Sequence, residues 1–151
     1  MRVRQHGHNP VMVPDIDLSP LRRALSMLNE ALAFWHAQPE GSALKPPLRS
    51  AVIQSFEFSY ELSVRMLRRV LMERAASASR VVDLSFNDLL RQGADHGLLE
   101  DALRWRQWRE LRNASSHAYD EAKAHAVAAG AEVFATDAQA MLAAPETALG
   151  A

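Results

Sequence analysis

Just ahead of an alanine-rich segment the chain carries RNASSHAYD, Arg112 to Asp120. A connection between helices needs only something flexible and soluble, yet this one gathers a guanidinium, an amide, two hydroxyls, an imidazole and a phenol. An imidazole titrates near pH ~6.5 as a residue type and so moves a proton at neutrality, while a guanidinium forks onto two oxygens of a phosphate or carboxylate. Together they suit proton transfer beside an anion, with Arg112 holding the charge, His117 moving the proton, and Asn113 and Ser116 as further donors.

The plain alternative is an interhelical turn in which Arg112 pairs with an acid, His117 caps a helix end and Tyr119 is core. Spacing bears on the choice. In one uninterrupted helix, at about 100° per residue, Arg112 and His117 would point about 140° apart. Asn, Ser and Asp prefer caps and turns to helix interiors, so the helix is expected to end or kink near Asn113 to Ser116 and swing His117 back toward the arginine. Glu57 and Glu61 share one face of a long predicted helix. They form either a surface ladder with Arg65 or a brace that orients Arg112. No Asp or His completes a metal-binding set with them, and no cofactor is expected. Trp105 and Trp108 read as core or as the seam with a second copy, ahead of base stacking.

The elements that must position these groups are all helical. Ser19 as N-cap with Pro20 at the first helical position opens a helix whose Leu21, Leu25, Leu28, Leu32 and Trp35 make one apolar stripe. QPEGSALKPP reads as a linker. A long helix from about Leu48 to Ala75 has the widest stripe and is expected to be central. RVVDL alone could pass for a strand and is too short to found a sheet. Ser85 with Asp88 is a capping-box pattern for a short helix ending near Gly93 or Gly97. A helix from about Leu98 follows, with Leu103, Trp108 and Leu111 toward the core and Trp105 at its edge. Asp120 can cap the last helix, which Gly130 weakens by about 1 kcal/mol against Ala without breaking it. The expected fold is all-α, an up-and-down antiparallel bundle of four to five helices over 18–145, preceded by a flexible N-terminal arm, 1–17, and followed by a disordered tail, 146–151.

At 151 residues with no cysteine and a net charge of −1, the chain reads as one domain without disulfides or thiolate chemistry. That charge balance argues against a duplex-DNA coat. No apolar run reaches about 18 residues, so no membrane role is indicated and a cytoplasmic protein is expected. GADHG matches neither a phosphate-binding loop nor a dinucleotide fingerprint.

RNASSHAYDE resembles the Arg-x4-His-x-Tyr motif of the HEPN domain family, and AVIQSFEFSYEL and GLLEDALRWRQWRELRNASSHAYDE look like its nucleotidyltransferase substrate-binding branch. The likeness runs from about Leu21 to Leu142. It implies a homodimeric helical bundle with the motif near the dimer cleft, and a minimal nucleotidyltransferase as partner. Many such pairs are toxin and antitoxin, the helical protein a metal-independent endoribonuclease acting on RNA and its partner the silencer, in some systems by adenylylating the motif tyrosine. Carried over, Arg112 and His117 take the catalytic positions, Asn113 the polar position beside the arginine, Tyr119 the modifiable one, and Glu57 and Glu61 the acidic positions of the long helix. RNA brings its own nucleophile, the 2′-hydroxyl, so the implied reaction asks for a proton acceptor, His117, and for compensation of negative charge, Arg112, without a metal. One histidine does not readily act as base and acid across an in-line attack, so a second copy of the chain, water or Tyr119 would supply the other proton. Ser55 and Val64 depart from the basic residue and tryptophan that relatives often show. The rival expectation is a non-catalytic subunit that docks the nucleotidyltransferase and presents a substrate to it.

Overall fold

A computed structural model of the chain describes residues 16–75 and 78–149, all helix and turn, with no strand among them. Its six helices are α1 (Ser19–Ala37), α2 (Lys45–Arg74), α3 (Ala78–Val82), α4 (Phe86–Asp95), α5 (Ala102–Ser115) and α6 (Glu121–Leu149). The backbone of α6 thus continues into the stretch set apart as a tail; 150 and 151, like residues 1–15 of the arm, lie outside the described residues.

The four-to-five-helix, up-and-down expectation needs correcting. α2 packs against every other helix, and α1 and α6 also meet, so α2 is a hub and not one member of a ring of neighbours. The reason lies on its surface. Val52, Ile53, Phe56, Ser59, Tyr60, Ser63, Met66, Leu67, Val70 and Leu71 are buried, and at about 100° per residue they cover an arc of about 140°, too wide for one or two partners. Part of RVVDL, the segment considered as a strand, is α3, which Arg68 holds by donating from Nη1 to the Val81 carbonyl at 3.0 Å.

Local chemistry explains the ends. Ser19 lies inside α1, whose N-cap is Leu18 with no side-chain cap; one residue earlier Asp17 Oδ1 accepts from the Ser19 N–H at 2.9 Å, and the Ser19 hydroxyl, followed by that N–H, lowers the Asp17 carboxyl below its ordinary value. Pro46 and Pro47, expected in a linker, fall in the first turn of α2, where N–H groups have no helical partner anyway. Ser85 caps α4 by accepting from Asp88 N at 3.2 Å. Past its end Gly97 takes φ +73°, which lets Leu98 N reach back to the Gly93 carbonyl at 2.8 Å. Asp101 caps α5 and accepts from Leu103 N. α6 passes through Gly130, where a Cβ would stand 2.7 Å from Leu111 Cδ2, so the missing side chain lets α5 and α6 approach.

One aromatic group fixes the helices that carry the motif. The Phe134 ring of α6 meets Phe56 at 5.0 Å, Trp105 at 5.9 Å, Trp108 at 6.0 Å and Tyr60 at 6.4 Å. Trp105 is therefore core, as Trp108 is, and Leu111 packs against it; only Leu103 of the expected inward residues, two residues and about 160° round the helix from Trp105, is exposed. Below the ring Asp137 is buried in α6. It accepts from Trp108 Nε1 at 2.8 Å and from Arg104 Nε at 3.0 Å, with Arg104 Nη2 on its other oxygen. Sequence reading missed this residue, although it stands within about 60° of the Phe134 stripe in an otherwise small apolar face.

Candidate active site at the α5–α6 joint

α5 ends at Ser115 and α6 begins at Glu121, so the helix breaks in the expected place. Ser116 N bonds to the Asn113 carbonyl, His117 N to Ala114 and Ala118 N to Ser115, a run of tight turns that closes α5. Asp120 Oδ1 then accepts from Lys123 N at 3.0 Å and opens α6. Five residues turn the chain, and the motif straddles them.

Phe56 and Tyr60 face the aromatic core, and the residue after each, Glu57 and Glu61, comes round by about 100° to the α5 seam. Arg112, one turn beyond Trp108, meets both. Its Nη1 lies 2.8 Å from Glu57 Oε2, and its Nη2 lies 2.9 Å from Glu61 Oε1. Ser115 completes the brace. Its buried hydroxyl accepts from Arg112 Nη1 at 3.1 Å and lies 3.0 Å from Glu57 Oε2 and 2.6 Å from the Arg112 carbonyl. The brace reading of the two glutamates is therefore the one the structure adopts, and Arg65 stands exposed without an ion pair to Glu61. The acids differ in one respect: the Glu57 side chain is 30% exposed and Glu61 54%. Arg112 Nε is buried without a hydrogen-bond partner.

His117 is exposed on the turn, and its imidazole makes no hydrogen bond among the described residues. Its ring lies 6.0 Å from that of Tyr119, edge-on at 73°, and Tyr119 is 86% exposed, so it is not core. Among the described residues no hydrogen bond joins the Arg112 guanidinium to the His117 imidazole. Asn113 is exposed, and the Ser116 hydroxyl turns back onto the Asn113 carbonyl at 2.8 Å. Sequence reasoning overlooked Ser115, the hydroxyl that touches Arg112; the i,i+3 spacing from the arginine was the available signal. Among the described residues no group of three or more His, Asp or Glu side chains is gathered to hold a metal ion. No helix among the described residues is long and apolar enough to cross a membrane.

An all-α bundle that places an Arg-x4-His-x-Tyr run across a helix break and braces its arginine with two acids from the hub helix has the layout of a HEPN-type domain. Residues 16–146 match the family model described as nucleotidyltransferase substrate binding protein like, and the chain belongs to that family. It is 33% identical over 130 residues to the probable ribonuclease HepT of Haemophilus influenzae, covering 82% of this chain and 88% of that one. Among solved structures it superposes on HI0074 of Haemophilus influenzae, described as having the fold of a substrate binding domain of a nucleotidyltransferase. The TM-score is 0.79 at 32% identity, over 86% of this chain and 99% of that one.

Proposed function

We propose that the chain is a metal-independent endoribonuclease, the toxin half of a cytoplasmic toxin–antitoxin pair whose antitoxin is a minimal nucleotidyltransferase, and that it works as a homodimer. The observation that carries this reading is the complete motif at the helix break, with Arg112 held by Glu57, Glu61 and Ser115 and with His117 open to solvent. Likeness to a probable ribonuclease supports it.

In the proposed reaction His117 takes the proton of a 2′-hydroxyl, the 2′-oxygen bonds to phosphorus, and the bond from phosphorus to the 5′-oxygen breaks. The leaving oxygen takes a proton from water, from Tyr119 or from a second copy's motif, and a 2′,3′-cyclic phosphate remains. Arg112 compensates the charge that builds on the phosphoryl oxygens. Glu57 and Ser115 fix the inner edge of the guanidinium, and the more exposed Glu61 gives up Nη2 to the incoming phosphate. Asn113 is a supporting donor on the turn, and Ser116 joins it when its hydroxyl leaves the Asn113 carbonyl.

An RNA oligonucleotide should be cut by the purified chain in EDTA, and a linkage preceded by a single 2′-deoxy sugar should resist. Cleavage that needs an added divalent metal, or that ignores the 2′-deoxy substitution, would overturn the mechanism. The exposure of Tyr119 favours a second reading, a docking subunit modified by its partner. That reading predicts an AMP adduct on Tyr119 when partner and ATP are added, with no RNA cleavage by the unmodified chain.

A further inference from the structure

A cleft of about 380 Å³ lies where the start of α2 meets the start of α6. Trp35, Lys45, Arg49, Glu121 and His125 are among its walls, and none of them has a part in the chemistry above. Its two permanent cations are largely buried while their countercharges are exposed. The Lys45 side chain is 17% exposed and the Arg49 side chain 19%, whereas Glu40 and Glu121, the acids nearest them, are 94% and 86% exposed. The separations are long for charge-assisted hydrogen bonds, 3.8 Å for Lys45 to Glu40 and 4.0 Å for Arg49 to Glu121.

Lys45 is seated by the Trp35 carbonyl, to which Nζ donates at 2.7 Å, and by the Trp35 ring, 5.0 Å from Nζ. That leaves two of its three N–H groups unspent. Arg49 makes no hydrogen bond among the described residues, so its whole fork is available. His125 adds further donor capacity beside the Trp35 ring, 6.0 Å away. Surface carboxylates this exposed contribute little to such pairs and give way readily to a ligand that offers several oxygens at once. Fixed guanidinium and ammonium groups with open donors are a phosphate-binding set.

We propose that this cleft binds a backbone phosphate of the RNA whose neighbouring linkage is cut at the joint; the assignment to RNA rests on the ribonuclease reading. Position supports it. Arg49 precedes Glu57 by eight residues on α2, about 12 Å along the axis, and Glu121 follows Tyr119 by two residues. Cleft and joint therefore flank the same end of α6, a separation that a few nucleotides of single strand span. The cleft adds affinity and register, and the joint does the chemistry.

The test uses the full chain and a fluorescent 2′-O-methyl single-stranded RNA, which cannot be cut, with binding followed by anisotropy across a salt series. R49Q removes no hydrogen bond of the fold, and a melting curve checks that it folds. Each of R49Q and K45M should weaken binding roughly 3- to 10-fold and lower the slope of log K against log salt by about 0.7. R49K should recover much of the loss. On cleavable RNA, R49Q should raise KM and leave kcat unchanged. Wild-type affinity and salt slope in folded R49Q and K45M would overturn the proposal. So would cleft-dependent binding of AMP or ATP with no effect of R49Q on RNA. If the wild type cuts no RNA in EDTA while R49Q still loses RNA binding, the nuclease reading fails and the phosphate site stands.

Discussion

Glu57 and Glu61 both face Arg112, yet replacing each by glutamine should have different consequences. Glutamine keeps the size and one carbonyl oxygen, so the change isolates the charge. Glu57 Oε2 serves two donors, Arg112 Nη1 at 2.8 Å and Ser115 Oγ at 3.0 Å. A hydrogen bond to a charged group contributes about 1 kcal/mol more than a neutral one. Two such bonds, discounted for partial exposure, put the cost of E57Q at about 1–1.5 kcal/mol, or roughly 3–5 °C in Tm for a domain of this size. Glu61 serves one donor and is the more exposed, so E61Q should cost about 0.5 kcal/mol or less. On RNA the order changes. E61Q removes the carboxylate that competes for Nη2, and should tighten 2′-O-methyl RNA binding by about 0.5–1 kcal/mol, roughly two- to fivefold in Kd. E57Q should lower kcat at saturating RNA, because the guanidinium loses its inner anchor. Thermal melts by circular dichroism at low salt and RNA anisotropy read both effects. Equal loss of stability in the two variants, or weaker RNA binding by E61Q, would refute the division of labour between the acids.

Three further outcomes test the scaffold. The Ser59 hydroxyl is fully buried without a hydrogen-bond partner, so S59A should raise stability by about 1 kcal/mol, roughly 2–4 °C in Tm; a lower Tm would contradict that. D137A strips Trp108 Nε1 and the Arg104 fork of their acceptor. It should cost about 2–3 kcal/mol, roughly 5–10 °C, discounted because Arg104 is partly exposed. A loss below about 1 kcal/mol would mean the network is not closed in solution. Burial raises the Tyr60 phenol above its ordinary 10.0, against the pull of Arg109 and Arg112. The unfolded chain therefore ionises first, and the stability tied to this group is complete at neutral pH and is lost as pH climbs past about 10. Denaturant melts across that range should fall more steeply for wild type than for Y60F, and parallel curves would contradict the sign.

Much of this arrangement was legible because it is written locally. Ser85 with Asp88, Asp120, Gly97 and the polar run from Asn113 to Ser116 each satisfy or interrupt backbone hydrogen bonds within a few residues, so helix ends could be placed from sequence. What escaped depends on contacts distant in the chain. α3 is five residues long and rests on Arg68 and the burial of Val81; propensity alone gives so short a segment no preference. Trp108 and Leu111 were placed inward from sequence, but Leu103 was preferred to Trp105 because each continues a helical period with other residues. Asp137, 29 residues from Trp108, settles which one turns inward. The brace on Arg112 was anticipated as one of two arrangements of Glu57 and Glu61, since only the packing of α2 on α5 decides between a ladder and a brace. Ser115 went unread because adjacent serines differ only in which side of the helix end they face.

The central claim is that one guanidinium and one imidazole, Arg112 and His117, act on a single RNA phosphodiester without a metal. The most direct measurement is the single-turnover cleavage rate of one RNA in EDTA by the wild type, R112A and H117A, each purified identically and shown to be folded. The account predicts measurable cleavage by the wild type and a loss of at least about 100-fold in each variant, the usual scale for removing a proton-transfer group. Equal rates in all three proteins would contradict it and attribute the cutting to a contaminant.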